Sequence, residues 1–263
     1  PGTAAAGSSG AFAPKKKTLS NGLVVVVQEN PNTPTFAMSG AILAGSVHET
    51  DKDIGLAGMT TGMFDRGTAR SNKLQVAARL EEIGASRWYG DGFETASFGG
   101  YGLATDFETV LDVVAEELKE PGFPEDELAK LKAQRIARVQ QAEDSTGVKA
   151  RRALMQKLFP KSHPLYELDA AEAVAGLESV NRDRVKAWYD RWYGADRMYV
   201  TVVGNVKAER VFELLESHFG KWRTVGGPRV DVAAVPRVPA GERLVTRVPD
   251  KSSVDILLGH SME

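Results

Sequence analysis

The chain has 263 residues, with 33 Lys and Arg against 35 Asp and Glu, four His and no Cys. A net charge of −2 leaves no basic excess for general nucleic-acid binding, and the lack of Cys excludes disulfides, Cys-ligated zinc, iron–sulfur clusters and thiol catalysis. The hydrophobic share of 42% is that of a packed globular protein, and no apolar run approaches the roughly 18 residues of a membrane span.

Residues 1–17 are rich in Ala, Gly, Ser and Pro and end in Lys15-Lys16-Lys17; they are expected to form a flexible tail. Thr18–Asn30 reads as a strand pair, with a turn signal at Ser20-Asn21-Gly22 and an apolar, Val-rich run over Leu23–Val27. Phe36–Ser46 reads as a further strand. Helices are predicted over Gly55–Phe64 and Lys73–Ile83, the second with Leu74, Val76, Ala77, Leu80 and Ile83 at helical spacing. Phe93–Leu103 returns to strand character.

Helices then follow over Phe107–Leu118, Glu125–Glu143, Gly147–Leu158 and Val180–Tyr193, broken at Gly122-Phe123-Pro124 and at Pro160. Met198–Val203 is a buried-type strand and Ala208–Phe219 the helix after it. Residues 224–242 form a Pro-rich linker. Beyond it, Leu244–Val248 and Val254–Gly259 read as two strands, too few to bury a core alone. Residues 243–263 are therefore expected to be the truncated start of a second domain. The fold class is α+β, a largely antiparallel sheet flanked by helices, in one domain over residues 18–223.

Few residues suggest chemistry unaided. His48, His163, His218 and His260 are dispersed, and none lies three to five positions from another, so no helical His pair can share a metal ion. Gly90–Gly92 and Gly100–Gly102 open no helix after a buried strand and are not dinucleotide motifs. Trp188, Tyr189, Trp192 and Tyr193 read as core packing, and the charged Glu125–Glu143 helix as a solvated face.

Several stretches, taken in order, resemble the M16 metallopeptidase family of pitrilysin, insulin-degrading enzyme and mitochondrial processing peptidase. They are LSNGLVVVV (Leu19–Val27), Gly40–Met59 followed by FDRGT (Phe64–Thr68), His163–Val206, and HFGKW (His218–Trp222). The resemblance implies a LuxS/MPP-like metallohydrolase-type domain. In that family two His one turn apart on a helix bind zinc beside a general-base Glu, and a Glu from a later helix completes the site. Here the motif aligns with Gly58-Met59-Thr60-Thr61-Gly62, so Gly58 and Gly62 stand at the ligand positions and Thr61 at the base. The third-ligand region falls at Ala137–Val139, with Arg138 aligned.

What the resemblance implies is thus an inactive member lacking the His-x-x-Glu-His motif, with no metal or cofactor of its own. Zinc is expected only in a catalytic partner or domain. Such a chain would form the non-zinc half of a clamp-type zinc peptidase and help enclose an unfolded peptide. Its partners would be that peptide and an HxxEH-bearing M16 subunit or domain, without nucleic acid. The alternative is a scaffold or assembly subunit resembling the core proteins of respiratory bc1 complexes. Bacterial periplasm and cytoplasm both fit the resemblance.

Two details stay open at this level. Trp88 and Tyr89 align with the family's substrate-pairing edge region, and are either peptide contacts or helix-packing residues. Gly58 and Gly62 either drifted after metal loss or make room for a neighbouring element or peptide.

Overall fold

A computed structural model describes residues 13–227 and 242–260. The strands are β1 (Lys15–Thr18), β2 (Val24–Glu29), β3 (Thr35–Ile42), β4 (Ser86–Asp91), β5 (Ala96–Leu103) and β6 (Met198–Gly204). They form one six-stranded sheet in the order β1-β2-β6-β3-β5-β4. Every pairing is antiparallel except that of β2 with β6. The α+β, largely antiparallel architecture is therefore as expected.

Alternation along the central strands divides the sheet into two faces. Phe36, Met38 and Ile42 of β3 and Met198, Val200 and Val202 of β6 are buried, while Ala37, Ser39, Tyr199, Thr201 and Val203 are exposed. The buried face meets α1 (Leu56–Thr61), α3 (Phe107–Lys119) and α8 (Ala208–Phe219), with α7 (Arg182–Trp192) packed on α1. Helix α3 seals most of it: Val110, Leu111, Val113, Val114 and Leu118 are buried on a single stripe, and Phe36 meets Phe107 edge-on at 5.0 Å. Helices α2 (Lys73–Glu81), α4 (Glu125–Ala142), α5 (Thr146–Leu158) and α6 (Ala170–Ser179) surround this core.

Four local readings change. Lys15–Lys17, expected in the tail, form β1 and pair with Val25–Val27, because the Val run offers a ladder and the sheet edge leaves the ammonium groups in water. Ser86–Asp91 is a strand despite its Gly, Arg and Asp. Helix α6, missing from the sequence reading, starts with a capping box in which Asp169 and Glu172 satisfy each other's backbone donors. Leu244–Val248 and Val254–Gly259 form no strands; among the described residues they have no ladder partner and lie along α5. There Lys157 pairs with Glu242 at 2.6 Å, Thr146 bonds Asp255, and Val245, Val254, Ile256 and Leu258 remain exposed. Residues 1–12 of the expected tail, 228–241 of the expected linker and 261–263 lie outside the described residues. Among the described residues, no helix is long and apolar enough to cross a membrane.

Candidate functional site

Helix α1 carries the positions aligned with the metal motif. Gly55, at φ 82°, turns the chain into it, a conformation that favours Gly. Glu49 then accepts from the first backbone donors, Gly55 N at 3.0 Å and Ala57 N at 2.8 Å. Burial pushes the Glu49 carboxyl up to about 7, against those two hydrogen bonds and with Asp53 and Asp91 adding to the rise.

Gly58 and Gly62 face α4 and the end of β4. The residue that meets them is Arg135. Its Nη2 donates to Asp91 Oδ1 at 2.8 Å and to Gly58 O at 3.2 Å, and its Nη1 to Asp91 Oδ2 at 3.1 Å. This two-point ion pair holds the Asp91 carboxyl below its ordinary range, chiefly through the Arg135 hydrogen bonds. Arg138 lies nearly one turn further along α4 and is exposed; its charge adds only a minor part to the depression at Asp91. Buried Leu128 and Leu131 fix the rotation of α4, and Arg135 follows Leu131 by one turn on the same face. The Leu131-x-x-x-Arg135 spacing was the signal for Arg135 in the sequence.

Thr61, which the resemblance aligns with the general base, is buried. Its Oγ1 donates to Ala57 O at 3.0 Å and meets the Tyr193 hydroxyl at 2.9 Å. A zinc ion does not fit this donor set. Gly58 and Gly62 offer no side chain, Thr61 is tied into the core, and the Arg135 guanidinium repels a cation. Among the described residues, no group of three or more His, Asp or Glu is placed to hold a metal ion. His48 stacks on Trp192 at 4.0 Å and is held near 4 by burial and Arg197. His163 Nδ1 accepts from Leu165 N at 3.1 Å. Both are structural.

Strand β4 leads into Asp91 from the sheet edge, and the two aromatic candidates on it part company. Tyr89 points to the helices: its ring meets Phe64 at 5.4 Å and its hydroxyl donates to Glu117 Oε2 at 2.7 Å. Arg87 points the same way, with Nε 2.6 Å from that oxygen. Glu117, on α3, is fully buried; burial pushes its carboxyl up while Arg87 and Tyr89 pull it down. Trp88 faces the opposite side of the sheet and is 43% exposed. It lies over Gly99 of β5, where a Cβ would come within 2.6 Å of the indole. Trp88 is the exposed member of the pair, and Tyr89 is partly buried. The outer edge of β4 has no strand partner among the described residues.

Comparisons with known proteins agree with this picture. The model of the insulinase family, peptidase M16, matches residues 24–167. That of the peptidase M16 inactive domain matches 179–260. The gap between the two falls across α6, yet β6 from the second match lies between β2 and β3 from the first, so both contribute to one sheet. The sequence is 25% identical to an uncharacterized zinc protease, YmxG, of Bacillus subtilis, over 81% of this chain and 51% of that protein. It is 26% identical to the mitochondrial-processing peptidase subunit beta of Lentinula edodes, over 80% and 45% respectively. A peptidase M16 inactive domain from Pseudomonas fluorescens superposes with a TM-score of 0.77 at 21% identity, covering 87% of this chain and 55% of that one. A protease from Helicobacter pylori does so at 0.74 and 18%, covering 86% and 55%. The chain thus spans about half the length of the relatives it matches. With the insulinase model matching more than half of the sequence and the fold recurring in those structures, the chain belongs to the peptidase M16 family.

Proposed function

We propose that this chain is catalytically inactive by itself and forms the non-zinc half of a clamp-type M16 peptidase, helping to enclose and bind an unfolded peptide. The observation that carries this reading is the α1 face, where an Arg–Asp ion pair lies against two glycines in place of metal ligands and a base. The zinc belongs to an HxxEH-bearing partner subunit or domain. The description of the Lentinula relative as a subunit supports pairing of this kind.

The role left to this chain is binding. Among the described residues strand β4 leaves backbone donors and acceptors unpaired along an edge, and an extended peptide can add to such an edge as a further strand. Backbone hydrogen bonds are independent of side chains, so this contact tolerates many sequences. Trp88 supplies an adjacent aromatic surface of the type that dominates interfaces. The bond cleavage itself is the partner's.

Co-purification with candidate M16 subunits, with zinc content and peptide cleavage measured on each species, tests the reading. The expected outcome is one zinc per complex, cleavage abolished by replacing the partner's motif, and cleavage unchanged by Thr61→Ala here. One tightly bound zinc on this chain alone, or cleavage by it alone, refutes it. Recovery of the chain only in a membrane complex without an HxxEH subunit would instead favour the bc1-like scaffold role.

A further inference from the structure

Glycine is the poorest helix former after proline, yet α1 has Gly58 in its middle and Gly62 at its end. The ion pair lies tightly against Gly58, while Gly62 meets Leu131 first and Arg135 only at ordinary contact distance. A Cβ on Gly58 would sit 2.9 Å from Asp91 Oδ2 and 3.2 Å from Arg135 Nη1, and one on Gly62 would sit 3.0 Å from Leu131 Cδ2 and 3.5 Å from Arg135 Nη2. Arg135 meanwhile reaches three elements: α4, which carries it, α1 through Gly58 O, and the end of β4 through Asp91.

We propose that the Arg135–Asp91 ion pair is a resident organic cross-link set where a metal would otherwise tie α1 to α4, that Gly58 is required to admit it, and that Arg135 is a positioning residue for the β4 edge. The value of that edge to a peptide rests on the function proposed above. The cross-link does not. A guanidinium keeps its charge at every physiological pH and its planar fork matches both oxygens of one carboxylate, so the tie is independent of metal supply. It fixes Asp91, the last residue of β4, while the outward edge of the strand stays free.

Melting midpoints of four proteins test the requirement for glycine: wild type, Gly58→Ala, Arg135→Ala and the double variant. If Gly58 were mere drift, alanine would raise the midpoint through helix propensity in either background. The cross-link predicts a reversal of sign, with Gly58→Ala lowering the midpoint of the wild type and raising that of Arg135→Ala. Hydrogen exchange gives the second readout: Arg135→Ala should speed exchange in β4 and leave β2 and β6 unchanged. A third compares zinc uptake by Gly58→His/Gly62→His with uptake by the same chain carrying Arg135→Glu. The first should bind none and the second one equivalent. A rise in midpoint in both backgrounds, unchanged β4 exchange, or equal zinc content in the two chains would each overturn the proposal. Should the histidine variants not fold, the sign of Gly58→Ala and the β4 exchange of Arg135→Ala decide. None of these measurements needs a peptide or a partner, so their failure leaves the clamp reading standing, and failure of the clamp reading leaves them intact.

Discussion

The two edges of the sheet are built on opposite plans. At one, β1 is four residues long and three of them are exposed lysines. Lys15 bridges Glu29 at 3.1 Å and Glu209 at 2.8 Å, and Lys17 reaches Glu216 at 3.9 Å. A short, charged edge resists pairing with another chain. At the other, β4 has no lysine and is tied from beneath, Arg87 and Tyr89 to buried Glu117 and Asp91 to Arg135. Charge in the water closes one edge. Charge behind the strand holds the other in place and leaves its backbone available.

The largest test of that contrast is Glu117→Ala. It strips the buried counter-charge from Arg87, whose side chain is 14% exposed, and removing one partner of a buried pair costs about 3–5 kcal/mol. Glu117→Leu with Arg87→Met should recover most of this loss, since an apolar replacement of similar volume leaves no charge unpaired. Lys15→Ala, at the opposite edge, should barely move the denaturation midpoint, because Lys15 itself is half exposed and Glu29 keeps its Lys207 and Ala208 partners. Urea unfolding of the four chains checks the ranking. Equal losses at the two edges would break the comparison.

A second difference appears in pH. Glu29, beside β1, is lowered to about 2, first by the Ala208 backbone donor and then by Lys15 and Lys207. Its folded value lies below the ordinary 4.5, so its stabilisation is present above pH 4.5 and is lost as the pH falls towards 2. Glu49, at the start of α1, is raised to about 7 by burial. Between pH 4.5 and 7 the native state therefore holds more protons than the unfolded one, and stability falls as the pH rises. His48, held near 4, acts in the reverse sense: stability falls as the pH drops from 6.5 towards 4. These two contributions oppose each other in the wild type. Glu49→Gln should expose the dependence that His48 shares with His218, which burial also lowers, so that the melting midpoint climbs from pH 4.5 to 6.5. Glu29→Gln should change the profile only below 4.5. A Glu49→Gln profile parallel to that of the wild type would remove the contrast between the two carboxylates.

How far the sequence disclosed these edges depended on where each residue finds its partner. Strands β2, β3 and β6 were legible because their burial is written into local runs, such as the alternation over Met198–Gly204. Helices α3 and α8 show their apolar stripes in the same way. Strand β4 was not legible as a strand, since Gly90 and Asp91 oppose strand formation locally and Arg87 interrupts its apolar pattern. The groups that settle two of them, Glu117 and Arg135, stand on helices later in the chain. Lys15–Lys17 were misplaced for the same reason: the Val ladder and the distant Glu209 turn an apparent tail into a strand. The glycines of α1 marked a changed site, but which arginine faces it is decided by the rotation of α4. That rotation is set by Leu128 and Leu131, which are buried against the core.

The smallest effects on stability should come from the exposed side chains, and there the edges should differ in what they bind. Trp88→Ala removes an indole that is 43% exposed, so its stability change should stay within about 0.5 kcal/mol. If β4 receives the peptide, the same variant should weaken peptide binding by more than about 1 kcal/mol, the ordinary threshold for an interface anchor. Replacing Lys15, Lys16 and Lys17 together with Thr should leave peptide binding unchanged and introduce self-association, because β1 then becomes a neutral edge with good strand propensity. Sedimentation of the triple variant and peptide titration of Trp88→Ala read the two edges separately. Peptide binding that follows the lysines and not Trp88 would move the binding edge to β1 and reverse the assignment. Self-association of the lysine variant with unaltered peptide affinity would establish that β1 is kept closed by charge while β4 is kept open by its anchors.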